Sequence, residues 1–206
     1  MLKLQGKLPR EVYVACSGGI DSMAALDFLC NNHTVTLTFF DHGTETSKQA
    51  LEFVSQQAVN YNVSFIYGSI PKQDIKVSGE SWEEYWRIKR YEYFHSINAP
   101  IITAHHLDDC VETWVWSSMH GTGKIIPYAN KNVIRPFRMT RKSDFELWAN
   151  LKNVPHVEDD SNADVCYTRN YIRHEMMPHV LRVNPGIHKT IAKKVKADEY
   201  TTRTTV

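Results

Sequence analysis

The chain is predicted to be an α/β protein built on a doubly wound, mainly parallel sheet. Three observations carry this expectation. Short runs rich in β-branched and aromatic residues recur along the first half of the sequence. Each is followed by a longer stretch with helical apolar spacing, the alternation that produces βαβ crossovers. The first such run also ends in a glycine-rich loop that opens directly into a helix. With 42% hydrophobic and 11% aromatic residues in a chain of 206, a packed core is expected and a disordered chain is excluded.

In chain order, Glu11–Cys16 (EVYVAC) reads as a buried strand and Asp21–Asn31 as the helix after the loop. Thr34–Phe40 and Val63–Tyr67 are the next strands, with a helix over Ser47–Tyr61 between them. A helix over Trp82–Ile97 leads to a fourth strand at Pro100–Ala104. After Thr113 the pattern changes to a loop (HGTGKIIPYANKN), a short run (VIRPF) and a helix over Lys142–Asn153. A polar acidic loop, Val157–Asp164, precedes the helical stretch Asn170–Val183, which Pro178 should bend or restart. Residues 1–185 are expected to form one catalytic domain with a small helical C-terminal extension. Residues 186–206 are expected to be a short basic tail, frayed from Lys196 onward.

Charge is divided unevenly. Residues 1–130 carry 10 Lys and Arg against 14 Asp and Glu, whereas residues 131–206 carry 14 against 9. A basic final third suits a polyanion, either RNA or a phosphorylated ligand, although a solvated basic face has the same composition. No apolar run approaches the ~20 residues that span a bilayer, and MLKLQGKLPR lacks the apolar core of a secretory signal. The four cysteines, at 16, 30, 110 and 166, form no CxxC pair. A cytoplasmic protein with reduced thiols is therefore expected.

Two segments carry the chemistry. In Ser17-Gly18-Gly19-Ile20-Asp21-Ser22 the glycines allow successive amides to point into one concavity. The next helix adds its unsatisfied N–H groups and positive end, and the serines add hydroxyls. This is not a Walker loop, and His120-Gly-Thr-Gly-Lys124 lacks the spacing of one. The second segment, Ala104–Thr113 (AHHLDDCVET), puts two histidines, two aspartates and a glutamate at one strand end and helix start. Asp108 and Glu112 are i,i+4 and share a face. Such a group suits Mg²⁺ bridging phosphates or an orienting site for an amine, while zinc is disfavoured because Cys110 has no nearby partner.

Weaker signals surround these two. Asp41-His42-Gly43 follows the second strand, where parallel sheets bind ligands. Arg87 and Arg90 are i,i+3 on a helix. Arg135 lies in an Arg-Pro-Phe run, ahead of Glu158-Asp159-Asp160-Ser161-Asn162. Tyr167-Thr168-Arg169-Asn170-Tyr171-Ile172-Arg173 follows, with Arg169 and Arg173 one helical turn apart. Those two guanidinium groups could grip a polyanion or pair internally with the Glu158–Asp160 carboxylates.

SGGIDS resembles the PP-loop of the N-type ATP pyrophosphatases. The ordered series of motifs, over roughly residues 11 to 185, is similar to the catalytic N-terminal domain of the tRNA(Ile)-lysidine synthetases. The resemblance implies a Rossmann-like PP-loop fold, with ATP and Mg²⁺ as cofactors and AMP transfer with release of pyrophosphate. It implies adenylation of carbon 2 of the wobble cytidine in a CAU anticodon, followed by displacement of AMP by the amine of L-lysine. Ser17, Gly18, Gly19, Ile20, Asp21, Ser22, Asp41, His42 and His106 would then face ATP. Asp21, Asp108, Asp109 and Glu112 would be catalytic, with Asp108 as a Mg²⁺ ligand. Arg87, Arg90, Arg135, Arg169, Asn170 and Arg173 would face substrate. The implied partners are tRNA(Ile) and lysine, with no membrane, and a homodimer is compatible with the sequence. The family's GSGxxGL-like segment is matched only in its first half by Gly121–Tyr128, and its further C-terminal domains have no counterpart up to residue 206, so either a minimal enzyme or a substrate other than a whole tRNA is expected. Another PP-loop adenylating enzyme, a tRNA thiolase or a small-substrate ligase, is the alternative, although the thiolases' CxxC pairs are missing.

Overall fold

A computed structural model describes residues 1–71, 74, 76, 79, 81–158, 166 and 168–203, the last five by their backbone alone. Six strands form one sheet in the order β3-β2-β1-β4-β6-β5. They are β1 (Glu11–Ala15), β2 (Thr34–Asp41), β3 (Ser64–Ser69), β4 (Ile101–Ile102), β5 (Ala129–Asn130) and β6 (Val133–Ile134). All pairings are parallel except that of β5 with β6. The four strands read from the sequence are present, the fourth shortened to two residues. The β5–β6 hairpin end of the sheet arises inside the segments read as a loop and as VIRPF.

The pleat of β1 divides the core. Val12 and Val14 are buried on one face against Met23, Leu26 and Leu29 of α1 (Ile20–Cys30) and against Phe145 and Ala149 of α5 (Lys142–Lys152). Tyr13 and Ala15 point to the other face, toward Phe94 of α3 (Trp82–Ser96), Ile101 and Val133. On that face Gly68 of β3 lies under the ring of Tyr93, where any Cβ would collide with the aromatic carbons. Glycine is what lets α3 approach the sheet so closely. Helix α2 (Glu45–Asn60) covers the β2–β3 side, its start capped by Thr44 Oγ1 accepting from the Ser47 amide at 3.1 Å.

A second apolar cluster stands beside the sheet. Leu107, Cys110, Val111 and Val115 of α4 (Leu107–Met119) pack with Ile172, Met177, Ile187, Ile191 and Val195. The last three come from α8 (Ile187–Arg203), so the segment expected to be a frayed tail is a docked helix. Its apolar residues recur at i, i+4 and i+8, and each contributes about 1.5–3 kcal/mol when fully buried. The stretch expected as one helix over Asn170–Val183 is built of three pieces: α6 (Thr168–Tyr171), a π-helical turn (Ile172–Met176) and α7 (Met177–Val183). Within it the Met177 amide donates to the Ile172 carbonyl, five residues back. Pro178 has no N–H to give and its ring crowds the carbonyl four residues earlier; the wide turn accommodates both.

The chain runs β1, β2, β3 outward in one direction and then returns to place β4 on the other side of β1. The carboxyl ends of β1 and β4 therefore flank the switch point of the sheet, where doubly wound folds open a crevice for ligands.

Candidate active site

The loop after β1 is held by its own hydroxyls. Ser22 Oγ donates to the Gly19 carbonyl at 2.9 Å and accepts from the Ser17 amide at 3.2 Å, and Ser17 Oγ accepts from the Gly19 amide at 3.4 Å. Gly18 has φ +87°, and a Cβ there would come within 3.0 Å of Val157 Cγ2 and 3.3 Å of Phe53 Cδ1. The Gly18 carbonyl also accepts from the Val157 amide at 3.0 Å, which ties the loop to the chain after α5. Gly19 is the N-cap of α1 and has no side-chain cap, while Ile20 and Asp21 occupy the first turn. The Ser17 and Gly19 amides are thus engaged within the loop, and the first-turn amides of α1, from Ile20 to Ser22, are the donors that suit an anion.

Beyond β4, His106 is the N-cap of α4 and only 2% exposed. Its Nδ1 accepts from the Asp109 amide at 3.3 Å, and the Asp109 carboxylate accepts from the His106 amide at 2.9 Å. His106 Nε2 lies 3.6 Å from Asp21 Oδ2, so one imidazole bridges the β1 loop and the acidic helix. Burial pushes the His106 pKa down, but Asp109, Asp21 and Asp108 push it up and prevail. Asp21 Oδ1 is buried and has no hydrogen-bond partner among the described residues.

Asp109 and Glu112 are buried together and face two arginines. Asp109 Oδ1 accepts from Arg169 Nη2 at 2.8 Å and from Arg173 Nη2 at 3.3 Å. Glu112 is gripped twice by Arg173, Nε to Oε1 at 2.8 Å and Nη2 to Oε2 at 3.0 Å. Burial raises the Asp109 pKa, yet His106, Arg169 and His105 outweigh it and hold the carboxyl well below its usual range. Internal pairing of Arg169 and Arg173 is thus present, with Asp109 and Glu112 as partners. Asn170 lies between the two arginines on α6. The expected Asp159, Asp160, Ser161, Asn162 and Tyr167 lie outside the described residues.

Asp108 has a different task. It accepts from Arg141 Nε at 3.2 Å and from the Lys142 amide at 2.8 Å, and His188 Nε2 of α8 lies 3.0 Å away. Its oxygens brace the starts of α5 and α8, so the expected Mg²⁺ ligand role would require breaking three structural contacts. Arg135, expected to face substrate, is only 3% exposed and donates to the Pro127 carbonyl and the Tyr91 hydroxyl, both at 2.9 Å. It braces the 120–128 loop, together with Arg138, which donates to the Ile126 carbonyl at 2.6 Å. Sequence reading missed Arg138, Arg141 and His188, because an arginine or histidine that will be buried carries no local mark.

The remaining expected residues lie on α3 and at the carboxyl end of β2. Arg87 is exposed on α3 and lies 3.4 Å from Glu84, with its guanidinium 5.4 Å from the Tyr91 ring. Arg90 is half-buried; burial and the nearby Arg169 and Arg87 lower its pKa. Asp41 Oδ1 accepts from the Gly43 amide at 2.8 Å and so shapes the turn after β2. His42 lies edge-on to Phe40 and tilted against Trp86, with ring centroids 5.2 and 5.7 Å apart. Burial and Arg90 bring its pKa down to about 4.

Against known proteins, residues 2–180 match the model of the PP-loop domain. The tRNA(Ile)-lysidine synthase of Thermotoga sp. (strain RQ2) is 34% identical over 201 residues, 90% of this chain and 49% of the relative. The tRNA(Ile)-lysidine synthase of Francisella philomiragia is 30% identical over 203 residues, 91% of this chain and 50% of the relative. The chain thus spans about half the length of the curated relatives it matches. Among solved structures, the U34-tRNA thiolase NcsA from Methanococcus maripaludis with its [4Fe-4S] cluster superposes with a TM-score of 0.70. It shares 15% identity over 96% of this chain and 73% of its own, which is a likeness of fold. A hydroxyl-braced glycine loop at the switch point, inside a family match over residues 2–180, leads to one conclusion: the chain belongs to the PP-loop family.

Proposed function

We propose that this chain carries out the ATP-dependent synthesis of lysidine on tRNA(Ile). The observation that carries the reading is the buried pair Asp109 and Glu112, joined through His106 to Asp21 of the phosphate loop. An ATP site and an ammonium-accepting site share one crevice, which a reaction with two successive substrates requires. Relatives named tRNA(Ile)-lysidine synthase support it, at 34% and 30% identity over nine-tenths of this chain.

In this reading the first-turn amides of α1, from Ile20 to Ser22, hold the β,γ-pyrophosphate of ATP, on a loop kept in shape by its own hydroxyls. The carbonyl oxygen on carbon 2 of the cytidine attacks the α-phosphorus. An O–P bond forms, the bond to the β-phosphate oxygen breaks, and pyrophosphate leaves with its negative charge held by the loop. Among the described residues no group of three acids, histidines or cysteines is arranged to hold a metal ion. A Mg²⁺ that takes most of its ligands from phosphate and water fits the single unpartnered oxygen of Asp21, and would neutralise charge on the departing pyrophosphate. The bound ammonium of lysine first gives up one proton; the free amine nitrogen then attacks carbon 2, the C–O bond to AMP breaks, and the new C–N nitrogen loses a second proton to water. Asp109, held strongly ionised, is a poor base and a good fixed anion for an ammonium. Glu112, once the ammonium has displaced Arg173 from it, is the acceptor of the first proton. Arg169 and Arg173 occupy both carboxylates, so an incoming ammonium shares or displaces them, freeing guanidinium groups for phosphate.

Thiolate chemistry has little support at this crevice. Cys110 is buried, and burial pushes its thiol up to about 12; burial likewise raises Cys16.

The test is incorporation of radiolabelled lysine into a tRNA(Ile) transcript with a CAU anticodon, with ATP and Mg²⁺. ATP-dependent labelling is expected, absent with a methionine tRNA. Release of AMP and pyrophosphate with other RNAs or small amines, and no labelling of tRNA(Ile), would overturn the reading in favour of another adenylating enzyme.

A further inference from the structure

Helix α8 sends its charges in two directions. Ile187, Ile191 and Val195 are buried against α4. His188 Nε2 sits 3.0 Å from Asp108, and Asp198 Oδ2 accepts from the fully buried Arg138 at 2.7 Å. The acid of the 187–198 segment is thereby paired with a buried arginine, while Lys189, Lys193, Lys194 and Lys196 are exposed. At 3.6 residues per turn, Lys189, Lys193 and Lys196 fall within about 60° of arc, nearly opposite the apolar stripe, and span about 10 Å of axis. Like charges at i,i+3 and i,i+4 repel by a few tenths of a kcal/mol per pair. No described carboxylate forms a salt bridge with any of them. The anchoring by apolar burial, His188 and Asp198 holds the row in place against that repulsion.

We infer that this face of α8 is a docking rail for the phosphate backbone of RNA. The inference rests on the tRNA reading above and names the surface through which the tRNA is held. Lysine ammonium groups are point charges suited to phosphate and blind to base identity. The outward face carries Thr190 and Ala197 beside the lysines and no large apolar side chain, unlike a helix that lies in a membrane surface. Its position fits the site. Lys189 follows the residue that holds Asp108, and Asp108 precedes Asp109 of the amine site. The rail therefore starts beside the helix to which the cytidine must be delivered.

The full chain and its K189Q/K193Q/K196Q variant are compared by fluorescence anisotropy with the tRNA(Ile) transcript and with an unrelated tRNA, across a salt titration. Removing three phosphate contacts should lower the slope of log K against log salt by about 2–3 for both RNAs alike. Thermal melting and the affinity for a fluorescent ATP analogue should not change, since these side chains are exposed and far from the glycine loop in sequence. An unchanged salt slope overturns the rail, even where the wild-type chain makes lysidine. A reduced slope in a chain that makes no lysidine upholds the RNA surface and refutes only the chemistry. Loss of binding to phosphatidylserine vesicles with an unaltered RNA slope also overturns it, in favour of a membrane surface.

Discussion

Arg173 grips Glu112 through two parallel hydrogen bonds, Nε to Oε1 at 2.8 Å and Nη2 to Oε2 at 3.0 Å. The pair is largely shielded, with Glu112 8% and Arg173 23% exposed at the side chain. A carboxylate so held is charged and oriented before any substrate arrives. Glu112→Gln keeps the shape and one acceptor but cannot take a proton. It should slow the amine step about 10²–10⁴-fold while leaving AMP transfer to the RNA intact, so that adenylated tRNA accumulates. The cost in stability should be about 1–3 kcal/mol, from an arginine that loses its charged partner. Rapid-quench analysis of labelled AMP on the RNA checks this. Undiminished lysidine formation would remove Glu112 from the proton transfer.

Asp21 stands at the other end of the same network, with Oδ2 3.6 Å from His106 Nε2 and Oδ1 without a partner among the described residues. Asp21→Asn should reduce pyrophosphate release by roughly 10²–10³-fold, the loss typical of one group that stabilises developing charge. The melting temperature should move by only a few degrees, because the residue is partly exposed and no described donor depends on Oδ1. Normal pyrophosphate release by a folded Asp21→Asn protein would mean that the carboxylate takes no part in adenylation.

Much of this site was legible because its signals are local. The loop Ser17–Ser22 follows a strand and opens a helix, and backbone rules alone make that an anion cradle. The position of Asp109 and Glu112 on a helix just past β4 was likewise readable, and the structure buries them together there. The partners of Arg135 and Asp108 were not legible, for a common reason. Whether an arginine or aspartate faces solvent, ligand or core depends on partners far away in sequence, here Tyr91 and Pro127 for one, Arg141, Lys142 and His188 for the other. The docked α8 was obscured by its lysines: the apolar residues at 187, 191 and 195 were present, but a basic composition read as a tail. The β5–β6 hairpin has two-residue strands, too short for any alternation to register.

Gly18 offers a test of the loop that does not depend on chemistry. At φ +87°, with Val157 Cγ2 3.0 Å from where a Cβ would be, Gly18→Ala is strained twice over. The backbone term alone costs about 1–2 kcal/mol, and the contact must push the 157 segment away. Gly19 has negative φ, and a Cβ there would meet only Ser17 Oγ, at 3.6 Å. Gly19→Ala should therefore be tolerated better in denaturant midpoint than Gly18→Ala. Equal midpoints would show that the Gly18 turn is not under the constraint described.

His42 ends up beyond β2 and His105 beyond β4, yet a single guanidinium, Arg90 of α3, acts on both. Burial is the main cause that lowers each; Arg90 adds to it, together with Arg169 and Arg135 at His105. His42 comes down to about 4 and His105 to about 3. The sign follows from linkage. Each histidine binds its proton less readily when folded, so between its folded value and an unfolded value of about 6.5 the unfolded chain holds more protons. The stability tied to these two neutral rings is present above about pH 6.5 and is lost as pH falls toward 4 and 3. His106, raised by its carboxylates, has the opposite sign, but its contribution is already complete below about pH 6.5 and leaves the decline there untouched. The melting temperature should accordingly decline on acidification from about pH 6.5, before the depressed carboxyls of Asp108 and Asp109 are protonated and add their own loss. Arg90→Gln should raise the pKa of both histidines, read as two shifted imidazole titrations by NMR, and flatten the decline. If one histidine moves and the other does not, Arg90 lies nearer one strand end than the crevice described here requires.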